Sequence, residues 1–361
     1  MIIHIDTETD WRGGQQQAVY LIEGLIRAEE NCVLICRKNS KLAEYAQNNN
    51  IPYKILPLKF EGDIFSAFAI ARFAKKNQAK LIHCHNSHAL SIGLLSRLFV
   101  NVPLVGSRRV DFDIRDNYLS KLKYSSSKLD ALICISNNIR RVVAKGGVPE
   151  NKLRVIRSAI DLSRVNSADR KHIVKNSLPP HSLLIGTVAA MTGHKDYPNL
   201  IKAASLVLKT HPEVLFIAVG DGKLHSEIRH LINNQKIADR FILTGYQENV
   251  YDYIKAFDIF VLASKLEGLG TSVLDALNCG KACVCTDAGG IPEMIKNRQN
   301  GLLVPKKDSY SLAQALKILI EDADLRHNLS LNAVESVKEF DISVNVAKHL
   351  ELYNELINAV K

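Results

Sequence analysis

Short apolar runs of three to six residues recur along the whole chain, separated by longer stretches in which apolar side chains return every three or four positions. The runs fall at residues 2–6, 33–36, 53–56, 80–84, 103–105, 131–135 and 153–156, then at 183–188, 215–219, 241–244, 259–263 and 282–286. Unbroken apolar runs of this length predict strands buried on both faces, and the periodic stretches between them, such as 64–76 and 198–209, predict helices. Strands alternating with helices of 10–15 residues imply an α/β fold: a parallel sheet doubly wound by helices, with ligands at the carboxyl ends of its strands. The pattern weakens from Arg157 to Pro180, ending in Pro179-Pro180, and then resumes. This reads as a linker. The expected domains are therefore 1–165 and 166–340. A helical segment at 341–361, carrying Leu350, Leu352, Tyr353 and Leu356, is expected to pack back toward the N-terminal domain.

Glycines at strand ends supply the first chemistry. After the 259–263 run come Glu267, Gly268, Leu269 and Gly270, then Thr271 and a helical pattern over 273–277. Paired glycines before a helix let backbone N–H groups approach a ligand, and the helix start favours negative charge. That outlines a phosphate site. Asp275 lies eight residues beyond Glu267. A plainer reading makes Ser272 and Asp275 a capping box with purely steric glycines. Gly13-Gly14 repeats the strand, glycine pair, helix order after the first strand, behind Trp11. It lacks G-x-G-x-x-G, which argues against a dinucleotide. Gly220 and Tyr246 close two further predicted strands, and Gly289-Gly290-Ile291-Pro292-Glu293 forms another turn at the same sheet edge.

His83-Cys84-His85-Asn86-Ser87-His88 invites a metal reading. In an extended strand, however, H-x-H turns both imidazoles to one face with the thiol opposite, and the run holds no carboxylate. Polar residues lining a cleft are the better reading. Nothing in the sequence calls for a metal or other cofactor.

Charge changes the picture in one half only. The net charge of +10 comes from residues 1–165, with 25 Lys and Arg against 15 Asp and Glu; residues 166–361 carry 22 of each. The first half is thus expected to face something anionic, such as a membrane surface or phosphorylated acceptor, unless the excess is only a solvated face. One candidate surface is the stretch bearing Arg115, Lys121, Lys123 and Lys128, interleaved with Leu119, Leu122 and Tyr124. No run approaches the ~18 apolar residues of a membrane span. The seven cysteines form no C-x-x-C pair and sit mostly in apolar runs, so they read as reduced core thiols of a cytosolic protein.

The order of pieces resembles the family-4 retaining glycosyltransferases. The matching residues are Gly13-Gly14, residues 154–161 (RVIRSAID), Lys195, residues 219–222 (VGDG), Tyr246, residues 267–270 (EGLG) and residues 289–293 (GGIPE). The resemblance spans nearly the whole chain and leans toward enzymes of lipopolysaccharide core and other bacterial surface glycans. It implies a GT-B fold, two Rossmann-like domains facing a central cleft. It also implies transfer of a sugar from a nucleoside-diphosphate sugar to a glycolipid or polysaccharide acceptor, by an enzyme on the cytoplasmic side of a membrane. Glu267 would hold donor-sugar hydroxyls and Asp275 the ribose. Lys195, backbone groups around Gly268–Thr271 and Gly13-Gly14 would bind the diphosphate, with Gly220 and Tyr246 alongside. Trp11, His85, Arg108 and Arg109 would face the acceptor. The chain departs from the family where a second glutamate becomes Asp275, where a basic residue becomes Ala190, and where a first-domain histidine is missing near Gly106–Arg109.

Other readings compete. A glycosidase pair would need carboxyls about 5–5.5 Å apart, whereas eight residues of helix span about 12 Å. A nucleotide-sugar epimerase could use the same fold, although the E-G-L-G stretch suits it poorly. A basic nucleic-acid binder lacks any recognition motif here, so no nucleic-acid partner is expected.

Overall fold

The computed structural model describes residues 1–114, 118–167 and 183–359. Arg115, the side chain of Leu119 and most of the predicted linker, including Pro179-Pro180, lie outside the described residues. The chain forms two compact units, one of residues 1–159 and 340–361, the other of residues 160–339.

The first unit is built on seven parallel strands: β1 (Ile2–Ile5), β2 (Cys32–Cys36), β3 (Tyr53–Ile55), β4 (Leu81–Cys84), β5 (Leu104–Arg108), β6 (Ala131–Cys134) and β7 (Leu153–Val155). Their spatial order is β3-β2-β1-β4-β5-β6-β7. Order reverses between β1 and β4, which pair Ile2 with Leu81 and His4 with His83. That reversal is the switch point, where loops diverge and leave a crevice at the carboxyl edge. β1, β2, β4 and β6 are buried at every position, which is why they read as apolar runs interrupted only by His4 and His83. Helix Ile342–Asn358 packs on helix Gly13–Arg27 so closely that a Cβ on Gly24 would fall 2.3 Å from Val346 Cγ2. Together they close a core of Leu21, Leu25, Leu34, Val346, Leu352 and Tyr353.

The second unit carries six parallel strands: β8 (Leu184–Val188), β9 (Leu215–Val219), β10 (Phe241–Gly245), β11 (Ile259–Leu262), β12 (Ala282–Thr286) and β13 (Leu302–Val304). Their order is β10-β9-β8-β11-β12-β13, so the switch point lies between β8 and β11. β13 is three residues long and did not stand out in the pattern.

The units divide at 159/160 rather than after 165. Gln17 holds Ala159 through both its amide groups, at 2.6 and 2.8 Å, fixing that residue to the first unit. Beyond it, Asn278 Nδ2 donates to the Leu162 carbonyl at 3.2 Å, and Arg164 lies over the Tyr251 ring at 4.9 Å, both within the second unit. Side-chain partners, invisible in the hydropathy pattern, move the boundary.

Candidate active site

Two loops leave the switch point of the second sheet. The loop after β8 tightens into a 3₁₀ turn, Gly193–Lys195, and Asp196 follows in the left-handed region at φ 50°. The loop after β11 lies against it, Lys265 N–H donating to the His194 carbonyl at 2.9 Å. This contact brings Lys195 Nζ to 2.5 Å from Glu267 Oε2, with the two side chains only 14% and 13% exposed. Ser264 Oγ, buried, donates to the same oxygen at 3.1 Å. A strong charge pair thus stands where a doubly wound sheet places its ligands.

The loop after β12 braces this pair from behind. Gly290 N–H donates to the Glu267 carbonyl at 3.1 Å. Gly289 has φ +56°, and a Cβ there would fall 1.7 Å from that carbonyl oxygen. Backbone meets backbone, so neither partner can yield. Gly289→Ala is expected to cost about 3 kcal/mol, from the left-handed conformation and the forced separation together, and to lower the thermal midpoint and activity in parallel. A variant that melts and works like the parent would refute this account of the loop.

Helix Thr271–Asn278 starts behind Gly270, whose φ is +96°, and has no side-chain cap and no acid in its first turn. The capping box envisaged from Ser272 and Asp275 is not made. Ser272 lies inside the helix, and Asp275 Oδ1 instead accepts from Tyr251 Oη at 2.5 Å. The helix start therefore keeps its preference for negative charge. Burial pushes the Asp275 carboxyl up to about 6, while the Tyr251 hydroxyl and Arg164 pull it back. Leu269 points into the core. Gly220 is pressed against the loop after β8, a Cβ there falling 2.3 Å from the Ala189 carbonyl, so that loop packing accounts for this glycine. Tyr246, at the end of β10, is 76% exposed.

In the first unit, helix Gly13–Arg27 also starts without a side-chain cap, and a Cβ on Gly13 would meet no atom within 4 Å. Arg109 runs beside it, its Cδ 3.6 Å from where a Gly14 Cβ would stand. Burial lowers the Arg109 guanidinium to about 10 against the pull of Asp6. Asp6, at the end of β1, accepts from Glu8 N–H, Gln15 and Asn86. Burial nevertheless raises its carboxyl to about 6.

His83 and His85 do share a face, with ring centroids 4.3 Å apart, and a Cβ on Gly93 would fall 2.6 Å from Cys84 Sγ, placing the thiol against helix Ser87–Ser96. The imidazoles do not line a cleft, however. His83 is fully buried and His85 is 3% exposed, because helix Ile342–Asn358 covers them. His83 bonds Tyr353 Oη at 2.6 Å and Ser107 Oγ at 2.8 Å, and His85 Nε2 lies 3.0 Å from His4 Nδ1. His4, His83 and His85 bring ring nitrogens within 4.8 Å of one another, a spacing a metal could bridge. Yet both nitrogens of His83 are already engaged, and the Arg109 charge bears on His83 and His85. The donor set suits a neutral hydrogen-bonded network better than a cation.

A family model described as "Glycosyl transferases group 1" matches residues 169–336, and one described as "Glycosyltransferase Family 4" matches residues 11–164. Together they leave only 1–10, 165–168 and 337–361 unmatched. This chain belongs to the family-4 glycosyltransferases. Among its relatives is the UDP-Gal:alpha-D-GlcNAc-diphosphoundecaprenol alpha-1,3-galactosyltransferase of Escherichia coli, 23% identical over 99% of this chain and 97% of that one. Another is the N,N'-diacetylbacillosaminyl-diphospho-undecaprenol alpha-1,3-N-acetylgalactosaminyltransferase of Campylobacter jejuni, 25% identical over 81% of each. The structure of a glycosyltransferase from Rickettsia africae superposes with a TM-score of 0.89 at 19% identity, covering 99% of this chain and 98% of that one. Anabaena HepE in complex with UDP superposes at 0.85 and 18% identity, covering 98% of this chain and all of that one. The two Rossmann-like units are those of the GT-B fold.

The remaining candidates of this glycosyltransferase fall unevenly. Trp11 packs on Tyr45, ring centroids 5.2 Å apart, at the edge of the core. Arg108 donates to the Phe112 carbonyl at 2.5 Å and to Tyr124 Oη at 3.2 Å. The basic surface proposed around 115–128 is partly turned inward. Lys123, 11% exposed, bridges Glu61 at 2.8 Å and Ser87, and Tyr124 is buried. Sequence reasoning missed Tyr251, Arg164 and Ser264, which hold the two site carboxylates. It also missed Asp6, although a carboxylate closing an apolar strand was a readable signal.

Proposed function

We propose that this glycosyltransferase moves a sugar, with retention of configuration, from a nucleoside-diphosphate sugar to an acceptor carried on a lipid. The reading is carried by the Lys195–Glu267 pair beside an uncapped helix at the switch point. Breaking a glycosyl–phosphate bond leaves negative charge on the departing diphosphate, and fixed donors aimed there beforehand stabilise it most. Lys195 and the N–H groups of the Gly270–Thr271 helix start would supply such donors. Glu267, already oriented by Ser264 and its own braced backbone, would accept from donor-sugar hydroxyls. Asp275, tethered by Tyr251, would accept from the ribose. Lys195 bonds Glu267 in the structure, and a diphosphate would draw the lysine over.

Retention follows from the family resemblance. A uridine donor and an acceptor on a polyprenyl diphosphate are favoured by the names of the Escherichia coli and Campylobacter jejuni relatives and by the UDP complex of HepE. Such an acceptor implies work at the cytoplasmic face of a membrane, in surface-glycan assembly. Among the described residues no helix is long and apolar enough to cross a membrane. No metal is assigned a role.

A thermal-shift panel of UDP, GDP, ADP, CMP and NAD, with and without EDTA, tests the reading. UDP at 100 times its dissociation constant is expected to stabilise by about 2.7 kcal/mol, indifferent to EDTA. The shift should weaken as pH falls through about 6, because protonated Asp275 accepts from a hydroxyl more weakly than the charged carboxylate does. A response to NAD, or to no nucleoside diphosphate, would overturn the proposal.

A further inference from the structure

Helix Ile64–Lys76 is organised in an unusual way for a surface helix. It is capped by Asp63, which accepts from Ser66 N–H, and buries Ala67, Ile70, Ala71 and Ala74. Its outer face should be polar, but Phe65 is 86% exposed, Phe68 53% and Ile64 39%. Phe60, in the preceding loop, is 59% exposed, and Leu98 is 58% exposed, next to Phe99, which meets the Phe68 ring edge-on at 5.5 Å. Single exposed apolar residues are ordinary; a contiguous aromatic group marks a binding surface. Positions 65, 68, 72 and 75–76 form one stripe along the helix, so two phenylalanines lead into Arg72, Lys75 and Lys76, all exposed. Residues 51–100 hold seven basic and two acidic side chains. Both acids are occupied, Glu61 by Lys123 and Ser91, Asp63 by its capping role.

We propose that this surface, Phe60, Phe65, Phe68 and Leu98 with Arg72, Lys75 and Lys76, rests on an anionic lipid bilayer. Aromatic rings enter the headgroup boundary while lysine and arginine meet lipid phosphates. A second copy of this chain fits less well, because a two-fold contact would set the same cationic stripe against itself. Placement agrees. In a parallel sheet all carboxyl ends share one edge, and this helix begins just after β3 leaves that edge, with its phenylalanines in the first turns. Gly13-Gly14 and Arg109 lie at the same edge, so the phenylalanine end of this surface stands on the side where the acceptor would enter, with its basic end and Leu98 farther along. This last argument rests on the lipid-borne acceptor proposed above; the surface itself does not.

The test is vesicle co-sedimentation of the full chain. It uses phosphatidylcholine alone and phosphatidylethanolamine with one quarter phosphatidylglycerol, with size-exclusion light scattering in parallel. The protein is expected to bind the anionic vesicles, less so as salt rises. Phe65→Ser/Phe68→Ser should lower the partition coefficient by about tenfold or more while keeping the parent thermal midpoint. Arg72→Glu/Lys76→Glu should abolish the preference for phosphatidylglycerol. Parent protein that ignores vesicles, a phenylalanine variant that binds as the parent does, or a parent dimer that the variants turn into monomers would each overturn the proposal. The UDP shift measured on the same samples separates the readings. Its survival alongside failed vesicle binding rejects the surface alone, and its absence alongside intact binding rejects the donor site alone.

Discussion

Lys195→Ala is expected to lower kcat by about 10²–10³, the loss seen when one fixed donor to a developing negative charge is removed. Glu267→Ala is expected to fall at least as far, because the same carboxylate holds the lysine and, on the proposed function, would orient the sugar. The two single variants should also melt lower than the parent. Each side chain is only 13–14% exposed, so removing one leaves the other charge enclosed without its partner. That costs about 3 kcal/mol at most, since both ends keep some contact with water. The double variant Lys195→Ala/Glu267→Ala should then recover stability but not activity. Steady-state kinetics and thermal midpoints on the four proteins close a double-mutant cycle. Either single variant working within threefold of the parent would remove the pair from the site.

Acid should open the first unit before the second. Burial lowers His4 to about 3 and His349 to about 4, and holds His83 and His85 well below the ordinary histidine range. In the unfolded chain these groups take protons near 6.5. Below that value the unfolded state binds protons that the fold refuses. The stability they contribute is therefore present above 6.5 and lost as pH falls toward 4 and 3, at up to about 1.4 kcal/mol per pH unit for each histidine. Asp6 works the other way: raised to about 6, it takes its proton in the fold first and adds stability between about 6 and 4. One carboxylate does not offset four imidazoles. The second unit holds none of these histidines, and Asp275 there, raised to about 6, adds stability over the same window. Hydrogen exchange at pH 7 and pH 5 should show peptides from 1–114 and 340–359 losing protection while those from 183–339 keep it. Equal protection at both pH values would mean that the histidines titrate freely and are not enclosed.

Much of this was legible in the chain before any coordinates. Strands buried on both faces are mostly apolar, so β1, β4, β6, β8, β11 and β12 were visible as apolar runs in which only His4, His83, Thr187 and Thr286 are polar. Their alternation with helices left a doubly wound parallel sheet as the reading. The glycines around Glu267 were legible for a related reason: a backbone that must approach another backbone, as Gly289 approaches the Glu267 carbonyl, tolerates no side chain. The family pattern rests on the same constraints. Hydrophobic periodicity and steric necessity act locally, and local sequence records them.

Contacts between residues far apart in the chain were decided only by the tertiary structure. Lys195 and Glu267 are 72 positions apart, and they meet because the crossing from β8 to β11 brings two loops to one switch point. Asp275 looked like half of a capping box until Tyr251, 24 positions away, claimed its oxygen. His83 and His85 looked like cleft residues because nothing near them in sequence shows that a helix some 270 residues later covers them, with Tyr353 bonded to His83. Lys123 looked like a surface charge until Glu61 met it. A polar side chain takes its meaning from its partner and its distance from water. Both are properties of the packed molecule, so the sequence specifies the sheet and its glycine turns, while the fold assigns each charge its work.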